Sequence, residues 1–247
     1  MVPIDVQNRI KSQIIDFFKK EDLFKTLKTH KKVDNTLVTE IDLFICKTIK
    51  SEVMGLGEFK DYHYFSEEDH SDLNFPALIL DPIDGTKGLI SGYPDCSVSL
   101  ALMENNKIEQ GWGWIFNPFT GLDISSNHIF TKAPNVPGGK LIGLVSRSEW
   151  NRGDFQDVDQ NRFALAPKGS IALKLGLLAA GAVDFVITRR KKQIWDIAAG
   201  SILCSARDIF LFDNKSQILA LTNEIQEAPM LWCRKEHYKE LKFLLEV

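Results

Sequence analysis

The 247-residue chain is short of the residues that staple or anchor a protein. Its four cysteines, Cys46, Cys96, Cys204 and Cys233, lie far apart with no Cys-x-x-Cys pair. That spacing argues against a thiolate zinc site, and each cysteine reads as a reduced thiol in an apolar or mixed stretch. No run approaches the ~18 apolar residues of a membrane span. The opening stretch MVPIDVQNRIKSQ lacks the apolar centre of a secretory leader. Neither sign of charge dominates: 30 basic and 33 acidic residues leave a net charge of −3. A nucleic-acid binder would carry a basic footprint that is missing here. The expectation is a cytoplasmic protein with neither a nucleic-acid nor a membrane partner. Hydrophobic residues make up 44% of the chain, enough for the core of one large domain or two joined subdomains.

Apolar spacing predicts a mixed layered α/β architecture. Ile10, Ile14, Ile15, Phe17 and Phe18 fall at helical spacing within residues 4–19. A second helix is expected over Val38–Met54, with Thr39 as N-cap. FPALIL (75–80) is too short for a good helix and reads as a buried strand. SVSLALM (97–103) and residues 108–115 read as a hairpin around Asn105-Asn106, with a further strand over 121–125. Proline and glycine then collect at 133–139, the best place for a subdomain boundary, which divides the chain into 1–135 and 136–247. Beyond it, strands are expected at 141–145, 184–188, 208–213 and 230–233, and helices at 171–180, 196–205 and 236–245.

Acidic residues collect at element ends. They are Asp42 in VTEID, the run SEEDH (66–70), Asp81 and Asp84 in DPIDGT (81–86), and Asp196 in WDIAAG. DPIDGT is the most informative. An apolar strand runs into Asp81, and layered α/β proteins place ligands at such strand ends. Two close carboxylates repel unless one takes a proton or a cation lies between them. Oxygen-only ligands suit a hard cation, Mg²⁺ above all. Gly85 allows close backbone approach, and a helical turn beginning there would offer N–H groups to a phosphate. The competing reading is a capped turn, because Asp-Pro and Asp-Gly are common turn formers. SEEDH alone reads equally as a solvated helix start, and Asp196 as a helix N-terminal acid.

Taken in order, the four motifs resemble the inositol monophosphatase family of lithium-sensitive, magnesium-dependent phosphatases. DPIDGT matches the family form D-P-[IL]-D-G-T, VTEID its V-T-x-x-D, SEED its G-E-E with Ser66 in place of glycine, and WDIAAG its W-D-x-A-A-G. The resemblance implies an αβαβα sandwich. It implies a first metal on Glu67, Asp81 and the Ile83 carbonyl, and a second on Asp81, Asp84 and Asp196. Asp42 and Thr86 would orient and deprotonate the attacking water, with a third, looser Mg²⁺ near Glu67. The backbone of Gly85 and Thr86 would bind phosphate oxygens. Two or three Mg²⁺ ions, a small soluble phosphate ester and a possible homodimer complete the picture.

Substrate choice lies outside these motifs. Inositol-selective members carry a glutamate shortly before W-D, whereas this chain has TRRKKQIWD. Arg189 and Arg190, with Gly169 and Ser170, are the candidate substrate contacts. Beside an active site the basic run would favour a second anionic group; otherwise it is a solvated face. GTKGL (85–89) and SRS (146–148) are similar to members acting on 3′-phosphoadenosine 5′-phosphate, although Glu149 follows where a histidine is expected. LISG (89–92) and LLAAGAVDFVI (177–187) are similar to histidinol-phosphatase-like members. CSARDIF (204–210) replaces the usual E-A-G-G, which leaves open a catalytically idle relative that binds metal and phosphate.

Overall fold

The computed structural model describes residues 1–19, 29–31, 37–128 and 139–246. Helix α1 (Ile4–Phe18) is followed by short strands β1 (Thr29–Lys31) and β2 (Leu37–Thr39) and by helix α2 (Glu40–Met54). Thr39 does cap α2: its hydroxyl accepts from the N–H groups of Ile41 and Asp42, while Asp42 accepts from the Thr39 N–H. This reciprocal box satisfies donors that a helix start leaves open. It also moves the helix start from Val38 to Glu40, leaving Val38 in β2.

A five-stranded sheet comes next, in the order β3-β4-β5-β6-β7. Its strands are β3 (His63–Ser66), β4 (Ala77–Asp84), β5 (Ser97–Met103), β6 (Trp112–Phe116) and β7 (Asp123–Ser125), and the short helix α3 (Thr86–Ile90) follows β4. β3 and β4 run parallel and the remaining pairs are antiparallel. The central strands are buried on both faces, which explains why FPALIL and SVSLALM read as nearly unbroken apolar runs. Leu78 and Leu80 point to one side, against Ile41, Ile45 and Ile49 of α2 and Ile10 and Ile14 of α1. Ala77 and Ile79 point to the other. The expected hairpin is present, but its second arm opens with a 3-10 turn (Ile108–Gln110) before β6. Trp112, Trp114 and Phe116 are core residues, and Phe119 is exposed.

The second half supplies β8 (Leu141–Ser146), α4 (Arg147–Asn151), β9 (Phe163–Lys168), α5 (Ile171–Ala179), β10 (Phe185–Thr188), β11 (Lys192–Gln193) and α6 (Ile194–Ser205). Then follow β12 (Ile209–Phe212), β13 (Gln217–Ile218), β14 (Ile225–Gln226), β15 (Met230–Arg234) and α7 (Lys235–Leu241). The six-stranded sheet has the order β13-β12-β15-β10-β8-β9. α5 and α6 lie between the sheets: Leu175, Ile197 and Ala198 share one core with Ile79 and Ala101 on one side and Val186 and Trp232 on the other. Leu241 and Leu244 cover the far face of the second sheet, against Phe163, Phe185 and Leu231. The result is the expected αβαβα sandwich. Most of the proposed boundary at 133–139 lies outside the described residues, and the helices of the second half pack directly on the sheet of the first. In place of the E-A-G-G segment, α6 ends at Ser205, and Asp208 at φ 59° makes the turn into β12.

α6 sits tightly on the first sheet because Gly113 faces it. A Cβ at Gly113 would lie 2.6 Å from the Ala199 carbonyl oxygen, a backbone atom that cannot swing away. Gly113→Ala should therefore lower unfolding stability by about 1–3 kcal/mol. Gly57→Ala, with nothing within 4 Å of the added carbon, should stay within about 0.5 kcal/mol of the parent. Denaturant unfolding of both variants checks the contrast.

Candidate active site

Asp81 pairs with Ser99 across the β4–β5 ladder, and Asp84 pairs with Ser97. Three steps on β4 thus match two on β5, so β4 carries one extra residue, a β-bulge. On a regular strand, side chains three apart point to opposite faces. The bulge brings both carboxylates to the face shared by Ser97 and Ser99. Pro82 lies inside it, where a missing N–H does least harm to the ladder.

Two further carboxylates meet them. β3 ends at Ser66, and the chain then turns rather than starting a helix as the SEEDH run suggested. The Glu67 N–H bonds to the Leu80 carbonyl at 3.0 Å, keeping Glu67 beside β4. Asp196 stands in the first turn of α6, accepting from the Gln193 N–H at 3.1 Å. Glu67, Asp81, Asp84 and Asp196 line a cleft of about 210 Å³ together with Ile83, Gly85, Thr86 and Lys87. Carboxylate oxygens of Asp81, Asp84 and Asp196 all lie within 4.8 Å of one another.

This convergence is electrostatically costly. Burial, then Glu67, Asp84, Asp196 and Asp42, pushes the Asp81 carboxyl well above its ordinary range. Burial and then Asp84 lift Asp196 to about 7, against an opposing pull from Lys192. Asp81 is 1% exposed, and its Oδ1 has no hydrogen-bond partner among the described residues. A buried carboxylate oxygen without a donor, in a ring of oxygen ligands, fits a hard divalent cation.

Asp84 is fixed from outside its own strand. Its Oδ2 accepts from Ser170 Oγ at 2.7 Å and from the Ala172 N–H at 2.6 Å, at the amino end of α5. Ser170 holds φ 42°, an uncommon conformation for a residue with a side chain. Its hydroxyl also lies 3.1 Å from Ser97 Oγ, and Ser99 Oγ donates to the Trp195 carbonyl at 3.1 Å. Ser97 and Ser99 thus tie the starts of α5 and α6 to the carboxylate face. Sequence reasoning missed both serines. The available signal was two polar residues in alternation inside an apolar strand. Lys174 on α5 is 2% exposed, with Nζ at 3.3 and 3.4 Å from the carbonyls of Lys168 and Gly169. Burial draws it down to about 8, although the charge of Asp84 opposes the shift.

Gly85 caps the amino end of α3 at φ 99°, and a Cβ there would meet the Asp95 carbonyl oxygen at 2.7 Å. Thr86 Oγ1 donates to the Ile83 carbonyl at 2.8 Å. Asp42 is fully buried, with Oδ2 accepting from the Thr39 N–H at 2.7 Å and the Thr39 hydroxyl at 2.6 Å. It does not line the cleft, but its charge acts on Asp81. The basic run divides. The Arg189 side chain is 10% exposed, donates to the Asp154 carbonyl and lies over the Phe155 ring, so its guanidinium packs inward. Arg190 is exposed. The charge of Lys192 acts on Asp196. Glu149 is fully buried, accepting from the Thr188 hydroxyl and the Arg189 N–H. Gly169 and Ser170, expected as substrate contacts, bond to Asp95 and Asp84.

Without a bound cation, the folded chain keeps protons on Asp81 and Asp196 at pH values where the unfolded chain has lost them. Between the ordinary carboxylate range and about pH 7, the folded state binds more protons, so stability falls as pH rises. Metal-free protein should melt at a higher temperature near pH 5 than near pH 7.5, and Mg²⁺ should narrow the gap. Thermal melts in chelator that rise over this interval would contradict the assignment.

Comparison with known proteins accords with this geometry. Residues 4–208 match the inositol monophosphatase family. A Thermotoga maritima protein named fructose-1,6-bisphosphatase/inositol-1-monophosphatase is 29% identical over 183 residues, covering 68% of this chain and 67% of its own. A Pyrococcus furiosus fructose-1,6-bisphosphatase is 28% identical over 229 residues, covering 86% and 84%. Among solved structures, a Thermotoga maritima IMPase superposes with a TM-score of 0.74 at 22% identity, covering 96% of this chain and 92% of that one. Over most of its length, the chain belongs to the inositol monophosphatase family.

Proposed function

We propose that this protein is a Mg²⁺-dependent phosphomonoesterase that hydrolyses a small soluble phosphate ester, an inositol phosphate or a related compound, with water as the nucleophile. The observation that carries this reading is the donorless Asp81 Oδ1, held within one cleft beside Glu67, Asp84 and Asp196 and next to the Gly85 turn. Glu67, Asp81 and the Ile83 carbonyl would hold one cation, and Asp81, Asp84 and Asp196 a second. Bound there, such ions neutralise phosphate charge and lower the pKa of a coordinated water. The chain does the rest. The N–H groups of Gly85 and Thr86 orient phosphate oxygens. Thr86, its hydroxyl proton directed to Ile83, presents oxygen lone pairs to the water, and Asp42 and Glu67 supply negative charge around it. No covalent intermediate is required.

A cleft of about 210 Å³ is smaller than the roughly 300–1,000 Å³ of pockets that enclose a whole drug-sized ligand. It suits a phosphoryl group with its ions, while the rest of the substrate lies outside it, past Lys87. The idle-relative reading drew on the altered CSARDIF segment. That segment begins at the carboxyl end of α6, roughly 12 Å of helix rise from Asp196, and leaves the acidic cleft complete.

The test is phosphate release with Mg²⁺, with and without Li⁺. The substrates are inositol 1-phosphate, fructose 1,6-bisphosphate, 3′-phosphoadenosine 5′-phosphate and histidinol phosphate. Magnesium-dependent, lithium-sensitive turnover of at least one is expected, with nearly all of it lost in Asp84→Asn. Folded, metal-loaded protein that turns over none of them, or Asp84→Asn at parental rate, would sink the proposal.

A further inference from the structure

Asp95 lies outside every motif that led to the site, yet it touches both loops that shape it. Its Oδ2 takes Arg147 Nη2 as an ion-pair partner and accepts from the Gly169 N–H at 3.4 Å. Its Oδ1 accepts from Lys168 Nζ at 3.1 Å. Arg147 also stacks over Tyr93, at 4.1 Å from the ring centroid. The Asp95 carbonyl is wedged between two glycines: an added Cβ would come within 2.7 Å of it at Gly85 and 2.9 Å at Gly169. One residue of the first half therefore grips β8–α4 and the end of β9 in the second, and its backbone buttresses the Gly85 turn.

We propose that Asp95 is a positioning residue for the metal centre: through Gly169 it holds the strained Ser170, and through Ser170 it holds Asp84. This rests on the proposed function above. The chain of contacts is short. Gly169 bonds to Asp95, and the next residue, Ser170, donates to Asp84 Oδ2 at 2.7 Å. A residue at φ 42° stays there only if its surroundings over-determine it. The α5 backbone holds Ser170 from one side and Asp95 from the other. Burial would raise the Asp95 carboxyl, but Lys168, the Gly169 N–H and Arg147 together hold it below its ordinary value, so it stays an anion. The same pairing offsets one of the two positive charges of Arg147 and Lys168, which would otherwise repel a metal ion at the neighbouring carboxylates more strongly. Loss of Asp95 thus weakens metal binding in two ways, by loosening Asp84 and by unmasking positive charge.

The test uses Mn²⁺ as the probe on the full chain. Mn²⁺ affinity is measured by calorimetry for the parent, Asp95→Asn, Asp95→Glu, Arg147→Met and the Asp95→Asn/Arg147→Met double variant, alongside their melting temperatures in chelator. Asp95→Asn should bind Mn²⁺ about tenfold or more weakly while still unfolding cooperatively. Asp95→Glu should recover part of that loss. The double variant should lose less than the sum of the single losses, because removing Arg147 removes an unmasked cation. Folded Asp95→Asn with parental Mn²⁺ affinity, or single losses that add, would overturn the role of Asp95. A parent that takes up no Mn²⁺ would overturn the functional reading first, and the positioning role with it.

Discussion

Four carboxylates have to share one small cleft, and the architecture around it answers to that constraint. Two unit charges about 4 Å apart interact by about 4 kcal/mol at an effective dielectric near 20. Several such pairs rival the ~5–15 kcal/mol by which a domain exceeds its unfolded state. The fold therefore has two ways to tolerate Asp81, Asp84 and Asp196 within 4.8 Å: protons on some of them, or cations between them. Burial and the neighbouring charges raise the Asp81 and Asp196 carboxyls, which favours the first, and the donorless Asp81 oxygen marks where a cation fits.

The backbone concentrates the charge, and the helices temper it. One extra residue in β4 turns Asp84 to the side of Asp81. α5 and α6 aim their amino ends at the same place, so N–H groups and the positive end of each helix meet the acids. Lys174 and Lys192 add positive charge that acts on Asp84 and Asp196. The five-layer packing makes this possible, because the middle helices belong to the second half of the chain while the sheet beneath them belongs to the first. The site is thus a property of both halves.

Much of this was legible in the sequence. Buried strands show as apolar runs, and Thr39 announced the start of α2 through ordinary capping chemistry. The acids of the cleft stood in short, ordered motifs. What remained hidden follows from interactions that are not local. The bulge in β4 depends on pairing with β5, so FPALIL appeared to end at Leu80, whereas β4 continues to Asp84. β9 escaped notice because FALAPK is short, half-exposed and carries a proline. The basic run read as one feature, yet packing sends Arg189 inward to Phe155 and leaves Lys192 to act on Asp196. Ser97, Ser99 and Asp95 carry no motif, and their partners lie about 50 to 100 residues away in sequence.

The most direct measurement is the unfolding stability of Asp81→Asn beside the parent, each in chelator and in Mg²⁺ near neutral pH. The substitution keeps the shape of the side chain and removes the most strongly opposed negative charge. If carboxylate repulsion relieved by a cation governs this site, Asp81→Asn will be more stable than the parent in chelator and will lose most of the stabilisation that Mg²⁺ gives the parent. An Asp81→Asn variant that is less stable in chelator, or that gains as much from Mg²⁺ as the parent does, would contradict that account.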